Sequence, residues 1–184
     1  FPEKKHFIGF DYDPSKVTDT SKFWISAQER INQDKKLRFF KTHNVLGSIN
    51  GNKFTDQKNT FGCVYIIRDP RNVITSVKNH NDFNSYDEAL KFMQNENAVL
   101  SDYKHLKNYA KTTIINSWRI NYQSWLRNNS FRKMAIKYED MVKNPDQIFR
   151  NLIIFVNTIC KFNKDVDEKK LKNAIKSTDF KNLQ

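Results

Sequence analysis

The feature that most constrains the fold is the segment from residue 61 to residue 80. It contains a short apolar run, Cys63 to Ile67, which is too short for a helix and is typical of a strand buried on both faces. Asp69 and Pro70 follow at once, a favourable cap and a favourable first residue for a helix. Apolar residues then recur at helical spacing. The segment therefore predicts a strand, a tight turn and a helix.

Arg68 stands where this strand is expected to end, and Ser76 stands about two turns into the helix. In open α/β sheets, ligands bind outside the carboxyl ends of the strands. A helix N-terminus attracts anions through its free N–H groups, and arginine adds a fork of donors suited to phosphate. The pattern fits an anion site, and it fits equally a structural arginine that pairs with the aspartate of the turn.

Strand and helix patterns alternate along the rest of the chain, which predicts an α/β fold with a mainly parallel sheet and helices on both faces. Further strands are predicted at 37–40 and 134–138. Asn50-Gly51 is compatible with a hairpin turn. A helix beginning at Ser85 is expected to reach Leu100. The other residues predicted to open helices are Ser21, Thr112 or Thr113, Asn144 and Asp165.

Composition sets the limits of the interpretation. The chain has 184 residues, with 38% hydrophobic and 14% aromatic content, enough for one domain with a core and too apolar for a disordered chain. The net charge of +12 makes a polyanion a possible partner. A nucleic-acid-binding module is an alternative, but the charge is the only feature that supports it. No apolar run is long enough to span a membrane. Cys63 and Cys160 lie in apolar stretches, which favours a reducing, cytoplasmic location.

Lys41 and His43 are expected at the end of the strand at 37–40. Side chains alternate along a strand, so two residues in this spacing point to the same side. The pair is compatible with a base beside a cation, and also with an ordinary polar exit from a strand.

Several motifs, in this order, resemble those of the sulfotransferases that use 3′-phosphoadenosine 5′-phosphosulfate (PAPS). They are Lys41-Thr42-His43, Arg68 with Ser76, Ser117-Trp118 and Tyr138-Glu139-Asp140-Met141. The resemblance runs over roughly residues 37 to 182. It implies a three-layer, P-loop NTPase-like fold and a single sulfotransferase-like domain over residues 1–184.

The resemblance also implies the chemistry. The sulfuryl group of PAPS would pass to a hydroxyl or amine of a small molecule or carbohydrate, with no metal and no nucleic acid as partner. His43 would act as the general base and Lys41 would offset the developing negative charge.

The same resemblance implies a set of nucleotide contacts. Arg68 and Ser76 would hold the 3′-phosphate, while Tyr138, Thr178 and Phe180 would contact the adenine. Two motifs of the family are missing from the sequence. These are the Pro-Lys-Ser-Gly-Thr-Thr type of loop, which cradles the 5′-phosphosulfate, and a C-terminal Arg-Lys-Gly.

Because both missing motifs would lie at the ends, the domain is expected to be incomplete at both ends. Catalysis is expected to be weak or absent if the chain is whole. The alternatives are a P-loop kinase-like nucleotide-binding protein, whose Gly-rich loop is also missing here, and a catalytically inactive basic α/β domain.

Overall fold

The computed structural model describes residues 3–102 and 111–178, which form two compact units. The first unit comprises the described parts of Phe1–Thr60 and Pro70–Ser130, and the second those of Phe61–Asp69 and Phe131–Gln184. After a short 3-10 helix, Lys4–Phe7, the helices are α1 (Val17–Ser21), α2 (Trp24–Asn32), α3 (Pro70–His80), α4 (Tyr86–Gln94), α5 (Trp118–Leu126), α6 (Tyr138–Lys143), α7 (Pro145–Ile159) and α8 (Glu168–Ser177). The strands are β1 (Ser48–Ile49), β2 (Asn52–Lys53), β3 (Gly62–Ile67), β4 (Val99–Asp102), β5 (Lys111–Ile114) and β6 (Arg132–Lys137).

The second unit is built on a parallel pair of strands. β3 and β6 run in register, from Gly62 opposite Arg132 to Ile67 opposite Lys137. A Cβ atom at residue 62 would lie 2.8 Å from the Arg132 carbonyl oxygen, so the close approach of the strands requires glycine. Helices α6 and α7 pack on β6, and α8 packs on α7.

The predicted burial of β3 on both faces is wrong. Val64 and Ile66 are exposed (38% and 54%), whereas Cys63, Tyr65 and Ile67 between and beside them are half-buried. The strand therefore has one covered face and one open face. The sequence could not reveal this, because the run is apolar at every position and lacks the alternation that marks a half-buried strand.

The first unit carries two short antiparallel ladders, β1 with β2 and β4 with β5. The predicted hairpin turn is confirmed: Asn50 and Gly51 join β1 to β2 with φ of 49° and 81°, values that a two-residue hairpin loop requires. The core of this unit contains Trp24 and Trp125, which meet the ring of Phe54 edge-on with centroids 5.3 and 6.5 Å away.

Two of the predicted helix starts are confirmed. Ser85 caps α4 by accepting the N–H of Glu88, and α7 begins at Pro145, directly after Asn144. For the last helix the cap is displaced by two residues, because Asp167 rather than Asp165 accepts the N–H of Lys170.

Other predicted boundaries are wrong. Ser21 ends α1 instead of opening a helix, and the next helix begins at Trp24. α4 ends at Gln94, and Leu100 lies in β4. Residues 112 and 113 belong to β5, which pairs with β4, and α5 is capped by Ser117 instead. The β-branched run 112–114 favours a strand once a partner strand is present, and this long-range pairing overrides the local cap signal.

Residues 37–40 also do not form the predicted strand. Their side chains are exposed, with Phe39 at 75%, and no strand includes them. The Arg38 guanidinium donates to both carboxylate oxygens of Asp34 and to the carbonyl of Ile31, which turns the segment back onto the end of α2. Lys35, with φ of 56°, makes the bend.

The predicted α/β class of fold is confirmed by the combination of helices and the parallel pair β3–β6. Among the helices in the described part of the chain, none has the length and apolar content needed to cross a membrane.

Candidate functional site

Arg68 and Tyr138 are brought together at one end of the parallel ladder. Ile67 and Lys137 are the last paired residues of β3 and β6, so the residues that follow them, Arg68 and Tyr138, emerge side by side. The central carbon of the guanidinium lies 4.7 Å from the centroid of the Tyr138 ring, and the arginine Nε is buried. Such a cation–π contact contributes about 0.5–2 kcal/mol. The register of two strands thus places a cation on an aromatic ring.

Glu139, the next residue of α6, holds the turn after β3. Its Oε1 accepts the backbone N–H of Asp69 at 3.2 Å. Tyr138 and Glu139 belong to one sequence motif, but the resemblance to the family implies a role for the tyrosine alone. A strand pairing is needed to see that a carboxylate at residue 139 can reach an amide 70 residues earlier.

The segment with Lys41 and His43 lies in the first unit, and both side chains are exposed. Because the segment is not a strand, alternation along a strand does not determine the directions of these two side chains. The main chain is instead fixed through Asn44, which is only 2% exposed. Asn44 accepts the N–H of Ile114 with its Oδ1 at 2.9 Å, and its own N–H donates to the Thr42 hydroxyl at 3.1 Å.

Helix α5 completes the support of this segment. Asn121 Nδ2 donates to the carbonyl of His43 at 3.1 Å and to that of Ile115 at 2.8 Å. The indole Nε1 of Trp125 donates to the Asn44 carbonyl at 2.9 Å. The backbone of residues 43 and 44 is therefore held while the imidazole is exposed. The sequence analysis missed Asn44 and Asn121, since single asparagines carry no local signal of burial.

The remaining predicted site residues are distributed over the chain. Ser76 is exposed on α3, in the first unit. Thr178 is the C-terminal cap of α8 in the second unit, where its exposed hydroxyl donates back to the carbonyl of Ala174 at 3.0 Å. Phe180 lies outside the described residues.

A cavity of about 660 Å³ opens in the first unit, lined by Lys5, His6, Arg30, Asp34, Arg38 and Phe40 among others. Its arginines are engaged structurally. Arg30 donates to the carbonyls of His6 and Ile8 at 2.5 and 2.6 Å, and Arg38 holds Asp34. The hydrogen bonds from Arg38 lower the pKa of Asp34, and burial lowers the pKa of His6. The cavity wall therefore fastens the N-terminal segment to α2.

Within residues 3–102 and 111–178, no three or more His, Cys, Asp or Glu side chains are grouped so that they could hold a metal ion.

The fold and site define an α/β protein with an arginine fixed at the end of a parallel strand pair. The model of the family described as Sulfotransferase domain matches residues 4–184, and the chain belongs to this family. No curated protein gives a match to the chain.

Membership of this family confirms the P-loop-like α/β fold and the resemblance drawn from the motifs. It also supports the coarse description of function: a transferase of sulfuryl groups whose acceptors are small molecules.

Proposed function

We propose that the protein transfers the sulfuryl group of PAPS to a hydroxyl or amine of a small-molecule or carbohydrate acceptor in the cytoplasm. The observation that carries this proposal is the Arg68–Tyr138 pair in a chain that belongs to the sulfotransferase domain family. A guanidinium held over a ring is restricted in its movement, and its fork of donors suits a phosphate.

The nucleotide half of the proposal assigns the 3′-phosphate to Arg68 and Ser76. Tyr138 would contact the adenine with the part of its ring that Arg68 leaves uncovered, and Thr178 and Phe180 would border the same base. The donor set fits the nucleotide, because guanidinium and hydroxyl groups donate hydrogen bonds and a phosphate accepts them. No metal is assigned a role.

The catalytic half assigns the general base to His43 and charge stabilisation to Lys41. Imidazole has an ordinary pKa of about 6.5, so at neutral pH it can remove the proton of an attacking hydroxyl or amine. Lys41 would stabilise the negative charge that collects on the leaving phosphate oxygen as the S–O bond breaks. The hydrogen bond from the side-chain amide of Asn121 to the main-chain carbonyl of His43 supports this role, because a base is efficient only when its position is fixed.

Nucleotide binding is the first test. Thermal shift with 3′-phosphoadenosine 5′-phosphate should raise the melting temperature, and adenosine 5′-monophosphate at the same concentration should raise it less. Equal shifts would remove the basis for a 3′-phosphate site. Binding to a DNA oligonucleotide that falls steeply with salt, without any nucleotide shift, would favour a nucleic-acid-binding module.

Two substitutions separate the catalytic from the binding role. His43→Ala should lower sulfuryl transfer from PAPS to 2-naphthol or benzylamine by about 10²–10⁴-fold and leave nucleotide affinity within about twofold. Arg68→Ala should weaken binding of 3′-phosphoadenosine 5′-phosphate more than that of adenosine 5′-phosphosulfate. Full turnover in His43→Ala would show that another group is the base.

A further inference from the structure

The main chain on either side of Arg68 is fixed by different contacts of the second unit. On one side, Ile67 is paired with Lys137 at the end of the parallel ladder. On the other side, the N–H of Asp69 donates to Oε1 of Glu139. The residue that carries the guanidinium is therefore held between a ladder pair and a charge-assisted hydrogen bond.

The side chain of Arg68 is restricted by Tyr138, the residue next to Glu139. The ring of Tyr138 lies under the guanidinium, and Glu139 accepts the N–H of Asp69, the residue after Arg68. The first turn of α6 thus fixes both the backbone and the head group of one arginine. A free arginine side chain has many rotamers, and a head group that is already fixed loses less conformational entropy when it binds a ligand.

The alternative role of Glu139 is to stabilise the N-terminus of α6, where an acidic side chain interacts favourably with the helix dipole. Asp140 offers a matched comparison. It lies in the same first turn, carries the same charge and is exposed. If the helix dipole were the reason for the acid, the two residues would be interchangeable in their effect on ligand binding.

We propose that Glu139 is a positioning residue for nucleotide recognition, which holds the turn after β3 so that Arg68 is preset for the 3′-phosphate. This inference rests on the proposed function. Glu139 itself need not contact the nucleotide. It acts through the amide of Asp69, which positions the neighbouring Arg68.

The test measures the 3′-phosphate preference, defined as the ratio of dissociation constants for adenosine 5′-monophosphate and 3′-phosphoadenosine 5′-phosphate, by isothermal titration calorimetry on the full chain. Glu139→Met keeps the length of the side chain and removes the acceptor. It should lower the preference about tenfold, which corresponds to about 1.4 kcal/mol, because the turn after β3 would no longer hold Arg68 in place. Glu139→Gln keeps an acceptor oxygen and should stay within about threefold of the native preference.

Two more variants separate geometry from charge and folding. Glu139→Asp keeps the charge but withdraws the carboxylate by one methylene, so it should lose the preference as Glu139→Met does. It also replaces Glu139→Met if the latter does not fold. Asp140→Ala should keep the native preference. Amide exchange at Asp69, measured by NMR, should accelerate in the variants that lose the preference and in no others.

The outcomes distinguish the inference from the function it rests on. A native chain with no preference for the 3′-phosphate overturns the proposed function and this inference together. A native chain with the preference, retained in both Glu139→Met and Glu139→Asp, overturns the inference alone. Selective loss in those two variants, with retention in Glu139→Gln and Asp140→Ala, supports it.

Discussion

Replacing Asn44 by alanine removes the side chain that joins the segment of His43 to strand β5. Oδ1 of Asn44 accepts the N–H of Ile114 at 2.9 Å, and the residue is 2% exposed. In the variant the N–H of Ile114, whose hydrogen bond is half-buried, loses its acceptor, which costs about 1–3 kcal/mol. The void left by the amide adds about 1 kcal/mol. We therefore expect a loss of about 2–4 kcal/mol in the free energy of unfolding.

The assays are urea and thermal denaturation followed by circular dichroism, with amide exchange at Ile114 as the local readout. In a chain of this size each kcal/mol lowers the melting temperature by about 2–4 °C, so the expected decrease is about 5–15 °C. Exchange at Ile114 should accelerate, because its hydrogen bond is made to the replaced side chain. Asn79→Ala, on the exposed side of α3, is the matched control and should change stability by less than about 0.5 kcal/mol.

A loss below about 0.5 kcal/mol together with unchanged exchange at Ile114 would refute the assignment of Asn44 as the anchor of this segment. A loss of stability with unchanged exchange would show that packing, and not the hydrogen bond to Ile114, is what the residue contributes.

Three other outcomes follow from the structure. Trp125→Phe keeps a buried ring but leaves the Asn44 carbonyl without the indole donor, so denaturation should show a loss of about 1–3 kcal/mol. Gly62→Ala places a Cβ 2.8 Å from a backbone oxygen of β6 and should lower the unfolding free energy by about 1–3 kcal/mol, whereas Gly47→Ala, whose nearest neighbour is a side-chain atom at 3.8 Å, should be close to neutral. Burial raises the pKa of Tyr65 to about 12, so its contribution to stability should be full below the ordinary pKa of about 10 and should be lost as the pH rises from there to about 12. Ultraviolet titration of Tyr65→Phe should lack a late-titrating phenol that the native chain shows.

Local sequence signals were sufficient where a short stretch determines its own structure. The apolar run to Ile67, followed by Asp69-Pro70, predicted β3, a turn and α3, and each is present. Ser85 and Pro145 marked helix starts, since a cap or a first-turn proline acts within one turn. Asn50-Gly51 set the hairpin, because few other residue pairs adopt positive φ twice in succession.

The same signals failed where a distant partner decides the structure. The run at 112–114 has hydroxyl side chains that suit a helix cap, but it pairs with β4. Residues 37–40 have the apolar and aromatic content of a strand, but Arg38 binds Asp34 and the segment has no place in a ladder. The secondary-structure propensity of a segment indicates only which conformations it can adopt, whereas strand pairing depends on residues far away in the chain.

The candidate site shows both situations at once. Sequence motifs point to Arg68 and Tyr138, but their contact depends on the register of β3 with β6. These two strands are far apart in the sequence. A shift of the register by one residue would move Tyr138 along the ladder by about 3.3 Å and bring Lys137 toward the arginine in place of the ring. The close contact at Gly62 opposes such a shift, because the Arg132 carbonyl leaves no room there for a side chain. The glycine at the start of β3 thus helps to fix the position of the arginine at its end, and for that reason Gly62→Ala should weaken nucleotide binding as well as stability.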